Sequence, residues 1–202
     1  MKRLIIAPHV DDDVLGCGGI LDKTCHVLYV GVDSHHVVSA EERWQEARAV
    51  AKRTGHRYSA FDAFTVNRYS ERFPALIAAF ESAISTRPDE VYIPERTSYN
   101  QDHQAVYDAA MIALRPHDTI PFVPRVLAYE QPHVLMWPTA GPHEVNYFRE
   151  IDIDEKVARV ELMKSQVRDY RGPDVIAALA KLRGAQARVT WAEAFRIIRW
   201  VE

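Results

Sequence analysis

Residues 4–19, Leu4-Ile5-Ile6-Ala7-Pro8-His9-Val10-Asp11-Asp12-Asp13-Val14-Leu15-Gly16-Cys17-Gly18-Gly19, place an uninterrupted apolar run directly before an acidic cluster. A short run such as Leu4–Ala7, with no polar alternation, is the pattern of a strand buried on both faces of a parallel sheet. Val27–Val32 repeats it, and Val14–Lys23 between them has the length of a short crossover helix. The same rhythm continues outward. Glu41–Thr54 reads as a helix, with Trp44, Ala47 and Ala51 on one face and Gly55 placed to end it. Tyr58–Phe61 is a candidate third strand, Ile77, Phe80 and Ile84 repeat at helical spacing, and Val91–Ile93 resumes a strand before a helix over Gln101–Leu114.

After Pro116 the pattern loosens. Val126–Tyr129 and Val145–Phe148 read as strands, and helices are expected over Asp154–Arg168 and Asp174–Gln186, with Trp191, Phe195 and Trp200 as core anchors. The expected fold is α/β: one Rossmann-like domain over residues 1–202, its mostly parallel sheet flanked by helices.

In such sheets ligands sit beyond the carboxyl ends of the strands. Three expected strand ends carry suitable side chains: His9 to Asp13, Asp33 to His36, and Tyr99 to His103. Adjacent carboxylates beside a buried strand repel one another, and a divalent cation reverses that cost. His9 and Asp12 can wrap one ion, and His103, near a helix N-terminus that favours neutral imidazole, is the best candidate for a third ligand. Three protein ligands and an open position is the arrangement of catalytic zinc, and other first-row divalent metals accept the same donors. The plainer readings are that one aspartate caps the following helix and that His103 is an ordinary surface histidine.

These residues resemble the LmbE-like, or PIG-L, family of zinc-dependent N-acetylglucosaminyl deacetylases. The family's HPDDE motif is matched by His9-Val10-Asp11-Asp12-Asp13, its second motif, HPDH, by Asn100-Gln101-Asp102-His103, and weaker similarity covers Val14–Gly19, Arg43–Gly55 and Ala192–Phe195. The resemblance implies a hydrolase that removes an acyl group, an N-acetyl in the first instance, from an amino sugar or related small amide. It implies zinc on His9, Asp12 and His103, with Asp11 as general base. Asn100 stands where the second motif has its first histidine. It can donate a hydrogen bond but cannot shuttle a proton at neutral pH, so Tyr99, His35, His36 or His133 would have to compensate, or catalysis is altered. Val10 replaces the first motif's proline and Asp13 its glutamate, keeping the charge but shortening its reach.

Arg68, Tyr99 and His35 are the candidates for substrate contact, and Glu46 reads as half of a solvated ion pair with Arg43. Trp137 and Tyr99 are rings that could stack on a sugar, and Trp137 reads further as part of a lid, as a contact in a homo-oligomer or as core packing. Three alternatives stand beside the deacetylase: a family member that binds a saccharide without cleaving it, a magnesium-dependent phosphatase using Asp11, Asp13 and Ser34, and a binding module using Gly16–Gly19 as a phosphate loop. A formal net charge of −3 and the absence of any basic run give no reason to expect nucleic acid as a partner. No stretch approaches the roughly 18 apolar residues of a membrane span. Cys17 and Cys25 form no metal or redox motif, so a soluble, cytoplasmic protein is expected.

Overall fold

In the computed structural model, which describes residues 1–32, 38–61, 64–137 and 144–202, the Leu4–Ala7 run lies in strand β1 (Arg3–Ala7), an interior strand of a seven-stranded sheet. The remaining strands are β2 (Cys25–Tyr29), β3 (Arg57–Ala60), β4 (Glu90–Pro94), β5 (Arg125–Tyr129), β6 (Tyr147–Glu150) and β7 (Ala192–Trp200), in spatial order β3-β2-β1-β4-β5-β7-β6. β1 pairs parallel with β2 on one side and β4 on the other, with Ile5 opposite Val27 and Tyr92. The strand order reverses between β1 and β4, which makes the gap beyond their carboxyl ends the topological switch point of the sheet.

Alternation along β1 divides the core. Leu4 and Ile6 pack under α3 (Phe73–Ile84) and α4 (Gln101–Ala113), while Ile5 and Ala7 pack under four other helices. Those four are α1 (Asp12–Cys17), α2 (Ala40–Thr54), α6 (Ile153–Leu162) and α7 (Pro173–Ala187). The small helix α5 (Pro132–Met136) follows β5 and rests on α7. Ser39 caps α2 in a reciprocal capping box with Glu42, and Gly55 closes it in the left-handed conformation.

Several elements differ from the sequence expectation: β2 begins and ends earlier than Val27–Val32, and β6 lies two residues beyond Val145–Phe148. Helix α1 starts and stops earlier than Val14–Lys23, ending at Cys17 before Gly18. Gly19 is pressed so closely on Ile151 that a Cβ there would lie 2.5 Å from its Cγ2. Helix α6 ends at Leu162 and gives way to a short 3-10 turn, Lys164–Gln166, instead of running to Arg168. The segment holding Phe195 is a nine-residue strand, β7, that runs antiparallel to both β5 and β6. Its alternation is blurred because Ala192 to Phe195 are all buried.

Candidate active site

β1 ends at Ala7, and the chain turns at once into α1, so His9, Asp11 and Asp12 are delivered to the switch point in a single turn. None of the three clustered aspartates caps α1 in the expected way: Asp11 is the N-cap residue of α1 and makes no capping bond with its side chain. From the far side of the switch point α4 brings Asp102 and His103 in its first turn.

The three expected ligands meet. His9, Asp12 and His103 are 7%, 3% and 3% exposed, and each offers a ligand atom within 4.8 Å of the other two. Asp12 Oδ2 lies 3.4 Å from His9 Nδ1 and 3.4 Å from His103 Nε2, so one carboxylate oxygen is shared by both imidazoles. Asp12 is fixed in place by the His9 backbone N–H, which donates to Oδ2 at 2.7 Å, and by Gln131 Nε2, which donates to Oδ1 at 2.8 Å. His9 Nε2 is 3.0 Å from Asp102 Oδ2, an oxygen that also accepts the Asn67 backbone N–H at 2.6 Å. An imidazole that donates from Nε2 to a carboxylate presents a lone pair at Nδ1, the usual outer partner of a metal-ligating histidine.

The electrostatics fit a cation. Burial opposes a charge on His9, but hydrogen bonds to Asp102 and Asp12 outweigh it and raise the imidazole to about 9. Burial also opposes a charge on Asp12, yet the neighbouring imidazoles of His103 and His9 hold its carboxyl well below the usual range. Nδ1 of His103 is buried without a hydrogen bond among the described residues. Two imidazoles and a carboxylate, packed around a space that favours positive charge, suit zinc or another first-row divalent ion.

Asp11 points elsewhere, to two guanidinium groups. Arg171 Nη1 donates to its Oδ2 at 3.0 Å, and Arg43 Nη2 stands 3.5 Å from its Oδ1 while donating to the Val10 carbonyl at 3.0 Å. Arg43 is 1% exposed, so it is no surface partner of Glu46. Glu46 instead accepts the Ser165 N–H at 2.7 Å and its hydroxyl at 2.6 Å, which ties α2 to the turn after α6. Asp13 turns into the core, where the Tyr29 hydroxyl donates to it at 2.9 Å and burial pushes its carboxyl up to about 7. Asp11 and Asp13 therefore do not share a site, which removes the paired acids of the phosphatase reading, and Ser34 lies outside the described residues. The glycines offer no phosphate loop either: a Cβ on Gly16 would lie 2.3 Å from the Tyr129 ring.

A cavity of about 460 Å³ opens over this cluster, within the size range of small-molecule sites. His9, Asp11, Asp12 and His103 line its floor, together with Asn100. Asn100 caps α4, accepting the Asp102 N–H at 2.9 Å through its side-chain oxygen, which leaves only its NH2 to offer a ligand. Sequence reasoning missed much of the wall. Arg171, Gln166, Arg168 and Tyr170 come from the stretch after α6, and Tyr170 meets Trp137, a ring the sequence did single out, edge to face at 5.4 Å. His133, from α5, also lines the cavity. Burial, reinforced by His103, pushes its imidazole down to about 3. The expected contacts Arg68 and Tyr99 are exposed and absent from the cavity lining among the described residues, although their neighbours Asn67 and Asn100 belong to it. Arg68 pairs with Glu71 at 2.7 Å. His35 lies outside the described residues.

Known proteins share this architecture. The chain is 27% identical over 174 residues to an uncharacterized deacetylase, YaiS, of Escherichia coli (strain K12), a match covering 80% of this chain and 90% of that one. The N,N'-diacetylchitobiose deacetylase of Pyrococcus horikoshii superposes with a TM-score of 0.75 at 19% identity, over 98% of this chain and 83% of that one. GalB of Pseudomonas putida KT2440, a 4-carboxy-2-hydroxymuconate hydratase, superposes with a TM-score of 0.71 at 21% identity, over 100% and 99% of the two chains. At these identities the two solved structures share the fold, and a fold alone does not fix a reaction. No helix among the described residues is long and apolar enough to cross a membrane. Residues 4–114, which include both motifs of the cavity floor, match the model of the GlcNAc-PI de-N-acetylases, PIG-L, and the chain belongs to that family.

Proposed function

We propose that this protein is a zinc-dependent deacetylase that hydrolyses the N-acetyl amide of an amino sugar or related small molecule. The observation that carries the proposal is the convergence of His9, Asp12 and His103 on one point with Asp11 beside it in the same cavity. A zinc ion held by the three supplies Lewis acidity to an amide carbonyl and brings the pKa of water toward neutrality. Asp11 is the base that takes the proton of the attacking water, and Arg171 and Arg43 hold its two oxygens in place. Asp102 orients His9, and Gln131 orients Asp12. The exposed rings of Trp137 and Tyr170 at the cavity wall provide apolar faces against which a pyranose can stack. A cytoplasmic setting fits Cys17 and Cys25, both buried and free.

The test is metal content of the purified protein together with acetate release from a panel of N-acetylated sugars and sugar conjugates. About one zinc per chain with chelator-sensitive acetate release is the expected result. Because a protein of the same fold is a hydratase, acetate is the product to measure. A fully zinc-loaded protein that frees no acetate from any member of the panel refutes the proposal.

A further inference from the structure

We infer that His133 is a catalytic residue of this site, donating a hydrogen bond from Nδ1 to the substrate's amide oxygen as negative charge develops there. The inference rests on the amide-hydrolase reading above. Amide hydrolysis gathers charge on the carbonyl oxygen, and a fixed N–H donor aimed at that charge is among the most effective devices a site can hold. His133 belongs neither to the cluster that suits a metal nor to the group around Asp11, yet it lines the same cavity. Its ring stands edge-on to His103, with centroids 5.3 Å apart and an interplanar angle of 74°.

Ser98 decides which nitrogen is available. Its hydroxyl oxygen is buried, accepts the Asn100 backbone N–H at 3.1 Å and lies 2.8 Å from His133 Nε2. The hydroxyl has a single proton, and Nε2 is its sole acceptor among the described residues, so Ser98 donates to Nε2. The imidazole proton is then on Nδ1. Nδ1 carries a proton in that tautomer and in the imidazolium alike, so the role does not depend on titration. This nitrogen makes no hydrogen bond among the described residues.

Each guanidinium of the cavity already holds a partner. Arg171 serves Asp11 and Gln166, Arg43 serves Asp11 and the Val10 carbonyl, and Arg168 is folded onto the carbonyls of Ser165 and Val167. Asn100 has its oxygen committed to the cap of α4 and keeps its NH2 as a further, neutral donor. His133 therefore provides a donor at the site from a part of the chain, residues 115–202, that the family model does not match.

The experiment compares wild type with His133→Ala, His133→Asn and Ser98→Ala, using zinc content, kcat and KM for the best acetylated substrate, and affinity for a phosphonamide analogue with a tetrahedral centre. Loss of one such donor costs about 10²–10³-fold in rate. His133→Ala should lose that much in kcat, keep KM within a few-fold, retain wild-type zinc and bind the analogue correspondingly more weakly. His133→Asn, which keeps an N–H donor, should recover part of the loss, and Ser98→Ala should fall between. Wild-type kcat in His133→Ala overturns the inference, as does a rate loss that tracks zinc loss. If the wild type itself frees no acetate, the hydrolase reading falls and takes the role of His133 with it.

Discussion

Replacing Asp102 by alanine removes a side chain that touches no substrate, and its effect should appear in metal affinity. Asp102 is 1% exposed, and its Oδ2 both receives the Asn67 backbone N–H and holds His9 Nε2 at 3.0 Å. With the carboxylate gone, the His9 ring is free to take either tautomer and to turn, and the tautomer with its proton on Nδ1 cannot ligate. Loss of such an outer partner typically weakens metal binding about 10–100-fold, or about 1.4–2.7 kcal/mol. The Asn67 N–H, on a residue already at φ 66°, also loses its acceptor. That costs about 1–3 kcal/mol of folding stability on top of the metal effect. Asp102→Asn separates the two contributions. Both donors address the same oxygen, so the amide oxygen settles there, keeps the His9 tautomer and removes only the charge. Zinc affinity, measured by competition with a chromophoric chelator, should therefore fall in the order wild type, Asp102→Asn, Asp102→Ala. An Asp102→Ala protein that binds zinc as tightly as wild type would refute the role given to Asp102.

Asp11→Asn should keep its zinc, since Asp11 lies outside the ligand cluster, and lose about 10²–10⁴-fold in kcat, the range for loss of a general base. Retained activity would remove Asp11 from that role. His56, 5% exposed, is held down to about 4 by burial, with Arg159 and His26 adding to the effect. The unfolded chain binds a proton at His56 below pH 6.5 that the folded chain refuses until about 4, so its contribution to stability is complete above pH 6.5 and lost as the pH falls toward 4. The displacement from 6.5 to about 4 sets a ceiling of about 3 kcal/mol on that loss. Denaturant midpoints at pH 7 and 4.5 should draw together in His56→Phe, and an unchanged pH dependence would show that His56 is not the group responsible.

The half of the molecule that builds the cavity floor was legible because its code is local. Continuous apolar runs mark parallel strands, and residues that follow two of them, His9 to Asp12 at once after β1 and Asn100 to His103 at the end of the loop after β4 and the start of α4, are those that meet at the switch point. The same rule, applied to the end of β5, points to Gln131 as well as to His133, named from the sequence only as a stand-in for Asn100, since Glu130-Gln131-Pro132-His133 follows an apolar run just as His9 does. Arg171 was beyond its reach: it approaches Asp11 only because α6 stops at Leu162, and the hold of Glu46 on Ser165 helps fix that turn from a helix more than a hundred residues earlier. Arg43 was misread for a related reason. Spacing on a helix suggests a partner three residues away, whereas burial turns the side chain toward the sheet and Asp11. Strand β7 was hidden because Ala192 to Phe195 are all buried and lack the alternation by which an antiparallel strand is recognised.

The placement of β7 also governs how the nascent molecule can assemble. β5 has β4 on one side and β7 on the other, and among the described residues β6 joins the sheet through β7 alone. Residues 192–200 leave the ribosome after the six other strands of this sheet, so until they arrive the outer edge of β5, with Val126, Leu127, Ala128 and Tyr129, is an open template of unpaired amides. The five parallel strands can close around β1 before that moment, and the floor with His9, Asp12 and His103 can form with them. The wall segment carrying Arg171 lies between β6 and β7, so Asp11 gains that partner as the last pair of strands zips onto the sheet. This strand order lets the nascent chain form its ligand cluster before its full reactive geometry, and an interval between the two would leave the edge of β5 open to a neighbouring chain.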